Sequence, residues 1–580
     1  MLRRLQILLP YLGRYRRGLV KGVAALGVRN IAAAAIPLGI GYAVDELSSG
    51  FQIKLAVQFA LLLVALTALK GIFQYAMRVV LIGISRDIEY DIRNDLFRHL
   101  IRLSADFYGR YRTGDIMART TNDLSAVRNM LGPGIMYSGD TLLTAILAVG
   151  VMGWVDWRLT LFALLPAPIV SVLVRYFGHR IHERFREIQT IFSEISNRVQ
   201  ENLTGVRVVR AYVQEDSEKR LFEEWNRDYI KESLRLARLS AVFLPMLHSF
   251  TGIAFLIVLW YGGNRLMDGK ITLGAFLMFN VYLGMLIRPM VAMGWVVNVV
   301  QRGTASLARL EEILSEQPSI TDPPRPVAAP QPVRGEVRFE DAGLAFGDTE
   351  VLGEINIHIE AGSTVALVGP TGSGKSSLAQ LIPRLWDPTA GRILLDGIDL
   401  RNLRLADLRR AIGFAPQETF LFSATLAENI AFGHPSATME QIRRSAELAG
   451  LGPDVGGFPD GYDTVVGERG ITLSGGQKQR TAIARAILGD PSVLVLDDAL
   501  SSVDTETEEL ILNALGDLVE DRTTIVISHR VSTVRRADVI FVMDRGRIVE
   551  QGNHASLLAG GHWYADLHQK QLLERELESI

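Results

Sequence analysis

The chain has 580 residues, no cysteine and 48% hydrophobic residues, with a mean hydropathy of +0.19. Lys+Arg 61 against Asp+Glu 63 leaves a net charge of −2, which excludes a polybasic coat for nucleic acid; the absence of Cys excludes disulfides, thiolate metal sites and cysteine nucleophiles together. A charged fraction of 21% in a well-mixed alphabet excludes a disordered chain, so the location of the apolar excess decides the class.

Residues 2–12 set Leu2, Leu5, Leu8 and Leu9 against Arg3 and Arg4. That helix suits the inner surface of a membrane, or a plain cytoplasmic cap. Six apolar windows follow, at about 19–44, 55–78, 132–154, 158–176, 239–262 and 271–296, each of the ~20 residues that cross a ~30 Å hydrocarbon core as helix. Pro166 and Pro168 bend the fourth. Arginines crowd the N-terminus and the segments 86–131 and 177–238, whereas the other three connections are short and weakly charged. By the positive-inside rule both termini and both long segments are cytoplasmic, and the first window is a signal-anchor helix rather than a cleaved leader. The long segments carry dense i,i+4 charges over Asp87–Arg98 and Glu183–Glu201, and each has a polar break, at Arg112–Asp115 and at Leu203–Gly205. Six of the 21 prolines fall in 315–335, which marks a linker. The chain therefore divides into a membrane domain over 1–314, a linker over 315–335 and a soluble domain over 336–580.

The soluble part alternates short β-branched runs with helical stretches, an α/β pattern with a largely parallel sheet. The run Thr364–Val368 leads into Gly369-Pro370-Thr371-Gly372-Ser373-Gly374-Lys375-Ser376, with Ser377 after it. This is a P-loop: glycines let backbone N–H groups wrap phosphates, Lys375 neutralises their charge, and the Ser376 hydroxyl is a Mg²⁺ ligand. Leu494-Val495-Leu496-Asp497 is an apolar strand ending in a carboxylate placed for the same metal. Leu473-Ser474-Gly475-Gly476-Gln477 opens an amphipathic helix about 20 residues earlier, and a Ser with two Gly at a helix start makes a second anion site.

Leu-Ser-Gly-Gly-Gln between a P-loop and a carboxylate-ended strand resembles the ATP-binding cassette family, and the whole chain resembles an exporter half-transporter. The fold class is then a polytopic α-helical membrane domain of exporter type, with six transmembrane helices, followed by an α/β P-loop nucleotide-binding domain. The resemblance implies ATP with Mg²⁺, in the cell membrane, and a head-to-tail cassette dimer. Each ATP lies between Gly369, Thr371, Gly372, Ser373, Gly374, Lys375, Ser376 and Ser377 of one cassette and Ser474, Gly475, Gly476 and Gln477 of the other. It implies Ser376, Gln417 and Asp497 at the metal, with Gln417 also sensing the γ-phosphate, His529 as the switch histidine, and Ser502–Asp504 crossing the dimer interface. Glu468 falls in the loop before the Leu473–Gln477 segment. Thr113–Asp123 and Gly205–Asp216 resemble the segments that press on the cassettes.

Two positions depart from the family pattern. The adenine-stacking aromatic is Phe346, where Tyr is usual; its ring still offers a face. The general base, usually Glu, is Asp498. One methylene less pulls the carboxylate back by more than ~1 Å, which can cost on the order of 10²-fold in rate while ATP still binds. Three arrangements fit: a heterodimer whose distinct partner supplies the Glu, a slow homodimer, and a channel or receptor gated by ATP binding. In the membrane domain Arg29, Lys70, Asp140 and His248 lie roughly 20–25 Å from the outer ends of their spans, with Asn280 and Tyr282 near the midplane. They face a cavity for amphipathic drugs, lipids or peptides, snorkel to the cytoplasmic interface, or pair between helices, as Arg29 with Asp140 would. The run Gln569–Ile580 is charged and helical, and carries no motif.

Overall fold

The computed structural model describes residues 6–50, 52–467, 473–517 and 522–578. They form two compact units, one of residues 1–101 and 112–316, the other of residues 102–111 and 317–580.

Among its described residues the first unit contains six helices long and apolar enough to cross a membrane: α1 Arg16–Ser49, α2 Ile53–Leu100, α3 Thr113–Val155, α4 Trp157–Thr204, α5 Glu215–Met267 and α6 Leu273–Ser315. Five of the six expected windows fall inside them, and the sixth begins two residues before α6. The fourth is interrupted at Leu165–Pro166, where proline removes a donor from the helical ladder. Pro133 lies in a wider, π-type turn of α3.

Polar side chains join these helices. Arg29 of α1 pairs with Asp140 of α3, and Tyr282 of α6, fully buried, donates to the Ala34 carbonyl. Asp156 lies between α3 and α4, accepts from the backbone N–H of Arg158 and Leu159 at 3.0 Å, and pairs with Arg265 of α5. Arg29 and Asp140 thus take the pairing alternative, while His248 is exposed.

Beyond the apolar windows the charged extensions are tied across helices as well as along them. Arg198 and Asn202 hold Glu218 between α4 and α5, Arg128 of α3 reaches Glu89 of α2, and Asp123 of α3 takes Arg309 and Ser306 of α6.

The break between α2 and α3 comes earlier than Arg112–Asp115: α2 ends at Leu100 and a short helix, Ala105–Arg110, intervenes. Thr113–Asp123 belongs to α3, and Arg102–Tyr111 is the segment that groups with the second unit. Phe107 is buried and stacks on Tyr111 of the same segment at 4.7 Å, and the Ser104 hydroxyl accepts from the Ile320 N–H at 3.0 Å.

In the second unit, residues 317–336 are irregular apart from a bridge between Val327 and Leu403. Ten strands follow: β1 Val337–Phe346, β2 Thr349–Ile359, β3 Thr364–Val368, β4 Ala390–Leu395, β5 Ile398–Asp399, β6 Ile412–Ala415, β7 Val493–Asp497, β8 Thr523–Ile527, β9 Val539–Asp544 and β10 Arg547–Gly552. A four-stranded sheet has the order β2-β1-β4-β5, and a six-stranded sheet the order β10-β9-β3-β8-β7-β6. In the larger sheet only the β9–β10 pair is antiparallel. The apolar run of β7 serves two cores: Val493 and Val495 pack with the β1–β4 side, whereas Leu494 and Leu496 pack with the helical lobe of Leu426, Ile430 and Ile483. A parallel strand buried on both faces needs that continuous run, and it delivers Asp497 and Asp498 to the carboxyl edge of the sheet.

Candidate nucleotide site

Beyond β3 the chain turns through the P-loop into the helix α7, Lys375–Leu381. Gly374 takes φ +98°, and a Cβ there would lie 2.7 Å from Leu352 Cδ2, so only glycine suits this turn. The loop walls a cavity of about 340 Å³ that gathers Gly369, Thr371, Gly372, Gly374, Lys375, Ser376, Ser377, Gln417, Asp497, Asp498 and His529. Residues from four separate stretches of chain thus meet in one place, because β3, β7 and β8 are neighbours in the sheet and β6, preceding Gln417, is next to β7.

The cationic and anionic groups of the pocket are in contact with its walls. The Lys375 ammonium donates to the Gly369 and Pro370 carbonyls at 2.9 and 2.8 Å and to the Ser373 hydroxyl at 3.3 Å. Burial lowers its pKa, opposed by the charges of Asp498 and Asp497. The Ser376 hydroxyl donates to Asp497 Oδ1 at 2.9 Å. Burial raises the Asp497 pKa; the Ser376 hydrogen bond opposes that, the Asp498 charge adds to it and Lys375 opposes it.

Among the described residues no group of three or more His, Cys, Asp or Glu could hold a metal by itself. One hydroxyl and one carboxylate side by side fit Mg²⁺, which takes few protein ligands and completes its shell with water and phosphate oxygens.

Asp498 sits where β7 turns away, at φ +48°, a conformation aspartate tolerates better than most residues. Its N–H donates to the Ile527 carbonyl at 3.0 Å. One carboxylate oxygen lies 3.2 Å from His529 Nδ1, and the other accepts from Gln417 Nε2 at 3.5 Å, the outer limit of a hydrogen bond.

The Leu473–Gln477 segment and Phe346 are not among the residues lining this cavity. Ser474 caps the helix α8, Gly475–Ile487: its hydroxyl accepts from the Gln477 N–H at 3.2 Å, and the Gln477 side chain accepts from the Ser474 N–H at 3.0 Å. Gly476 is required by a close approach, since a Cβ there would lie 2.9 Å from the Ser502 carbonyl. Phe346 ends β1, is 42% exposed, and packs edge-on against Trp386 at 4.7 Å. Glu468 lies outside the described residues.

Sequence reasoning missed Val351, Ile527 and Ser528, which also line the cavity. It also missed the buried Gln479, whose amide donates to Ser501 at 2.8 Å and accepts from the Ser502 N–H at 2.8 Å. A glutamine four residues after the start of a helix otherwise buried through Ile483 and Ile487 was the available signal.

A six-helix membrane unit joined to a P-loop α/β unit defines an ATP-dependent membrane transporter. Residues 20–290 match the family model "ABC transporter transmembrane region" and residues 352–501 match "ABC transporter"; the chain belongs to this family, as an exporter half-transporter. It is 38% identical over 543 residues to the "Probable multidrug resistance ABC transporter ATP-binding/permease protein YheI" of Bacillus subtilis (strain 168), covering 93% of this chain and 92% of that protein. It is 37% identical over 572 residues to the "Multidrug resistance-like ATP-binding protein MdlA" of Escherichia coli (strain K12), covering 98% and 96%. It is 35% identical to an "ATP-dependent lipid A-core flippase" of Syntrophus aciditrophicus (strain SB), covering 92% and 88%. Among solved structures, that of a bacterial Atm1-family ABC exporter with ATP bound superimposes with a TM-score of 0.79 at 28% identity, covering 96% of this chain and 98% of the other.

Proposed function

We propose that this chain is one half of an ATP-driven exporter that moves amphipathic compounds (drugs, lipids or peptides) out of the cytoplasm or inner leaflet by alternating access, and that its own ATP site is the weaker of a pair. The setting is the cytoplasmic membrane, with both termini on the cytoplasmic side. The multidrug and lipid names of the relatives support the cargo class. ATP with Mg²⁺ binds between the P-loop of one cassette and the Ser474–Gln477 segment of its partner. Lys375 holds the phosphates, Ser376, Gln417 and Asp497 hold the metal and its waters, Phe346 stacks the base, and His529 contacts the transferred phosphate.

The observation that carries the weak-site reading is the placement of Asp498. Its short side chain reaches His529 at 3.2 Å and only just reaches Gln417 at 3.5 Å, whereas a glutamate would extend one methylene further toward the position of an attacking water. The account therefore pairs this chain with a distinct half-transporter carrying Glu at that position. The contact between Asp498 and His529 supports a second reading, a homodimer that hydrolyses slowly with Asp498 as base.

The deciding experiment is ATP turnover by Asp498→Glu, measured on this chain alone and on the complex purified from its source membranes, with the native mass of that complex. The proposal expects two different chains, and a gain in turnover from the substitution only with the partner present. Rapid turnover by an assembly of this chain alone would sink the heterodimer.

A further inference from the structure

The C-terminal helix carries no recognised motif, yet it touches the backbone of His529, a residue that lines the candidate nucleotide pocket. This helix, α9 Trp563–Glu578, is seated by one face. Tyr564 is fully buried and, with Trp563 and Leu567, packs into the core of Ala366, Val368, Val531, Val534 and Val542. Residues 564, 567 and 571 share that face by helical spacing, so the anchor aims Gln571 at the segment that follows β8. The Gln571 amide donates to the His529 carbonyl at 2.7 Å and accepts from the Val531 N–H at 2.9 Å. One planar group supplies both a donor and an acceptor, which an amide does and a carboxylate or an apolar chain does not. Arg530, between those two residues, is held from the opposite direction: it donates to the Ser501 and Val503 carbonyls and to the buried Glu508. The His529 ring itself is loosely held, 59% exposed, with Asp498 as its one polar side-chain contact among the described residues. Its position is therefore set by its backbone.

We propose that Gln571 is a positioning residue for ATP turnover: by bridging the His529 carbonyl and the Val531 N–H it fixes the backbone that carries the His529 imidazole into the nucleotide pocket. The inference rests on the reading of His529 as a contact to the transferred phosphate. A ring displaced by a fraction of an ångström still leaves the P-loop intact, so the loss falls on turnover and spares binding.

The test uses the full-length transporter in lipid vesicles, with Asp498→Glu in every variant and, where the other half is a distinct chain, its catalytic Glu replaced by Gln, so that turnover at this site carries the signal. Gln571→Met, close in size but without donor or acceptor, is expected to lower kcat about tenfold while KM for ATP stays within about twofold. Gln571→Glu, which sets a carboxylate against the His529 carbonyl, is expected to do the same. Adding Gln571→Met to His529→Ala should cost nothing beyond His529→Ala alone. Hydrogen exchange over 526–534 should quicken in Gln571→Met with the rest of the cassette unchanged. If His529→Ala is inactive but Gln571→Met turns over like its parent, or if exchange over 526–534 is unaltered, this inference is overturned and the reading of the site stands. If His529→Ala itself turns over like its parent, the reading of His529 falls first and takes the inference with it.

Discussion

Two helices of the cassette begin after glycine-rich turns of related design, α7 behind the P-loop and α8 behind Leu473, and they differ in what satisfies their first N–H groups. Gly374 starts α7 without any side-chain oxygen, so the donors at that end are left to a ligand. Ser474 starts α8 with a capping box that pairs Ser474 and Gln477 reciprocally. Part of the anion-binding capacity of α8 is thus already used within the chain. On the proposed reading this is an asymmetry of tasks: the α7 side holds phosphates by itself, whereas the α8 side adds to a nucleotide held elsewhere, so binding and turnover should respond to different substitutions.

The comparison can be broken most severely at Lys375. Lys375→Ala removes the half-buried cation of the α7 side and is expected to weaken nucleotide binding by about 100-fold, read by titration with a fluorescent ATP analogue. The α8 side should give the opposite profile. Gly476→Ala places a Cβ 2.9 Å from the Ser502 carbonyl and should lower turnover by about tenfold or more while nucleotide binding is unchanged; a loss of binding would erase the distinction.

Outside the site, the membrane unit offers a control for stability without chemistry. Asp156→Ala removes a helix cap and strands Arg265, at a cost of about 3 kcal/mol. It should appear as a lowered thermal midpoint with nucleotide binding by the cassette intact.

The smallest effect sharpens the α7 side. Burial raises the Asp497 pKa, so the proton competes with Mg²⁺ from a higher pH than at an ordinary aspartate. Mg²⁺-dependent nucleotide affinity should weaken as pH falls toward the carboxylate range, starting above it, while metal-free binding changes less.

The P-loop pocket was legible in the sequence because its chemistry dictates residue types at fixed spacing. Glycine is demanded by a phosphate-wrapping backbone, a cation follows at Lys375, and an apolar strand ends in Asp497. The six spans were legible for an equally simple reason, since hydrocarbon thickness fixes their length. Arg29 and Asp140 were readable as a pair because both sit at one depth.

What escaped depends on contacts between distant residues. Gln571 lies 42 positions from the carbonyl it holds, and nothing local distinguishes it from its charged neighbours. The same holds for Asp156 with Arg265, and for Arg102–Tyr111, which groups with the cassette and is tied to Ile320 through Ser104 rather than through any motif. Phe346 was expected at the site from its place before β2; the cavity is lined there by Val351, and Phe346 packs against Trp386.

The most direct test of the account is ATP-dependent uptake of an amphipathic dye into inside-out membrane vesicles, comparing the intact transporter with Lys375→Ala. The account predicts that uptake falls to the level seen without ATP. Undiminished uptake by Lys375→Ala would contradict the claim that nucleotide in this pocket drives transport.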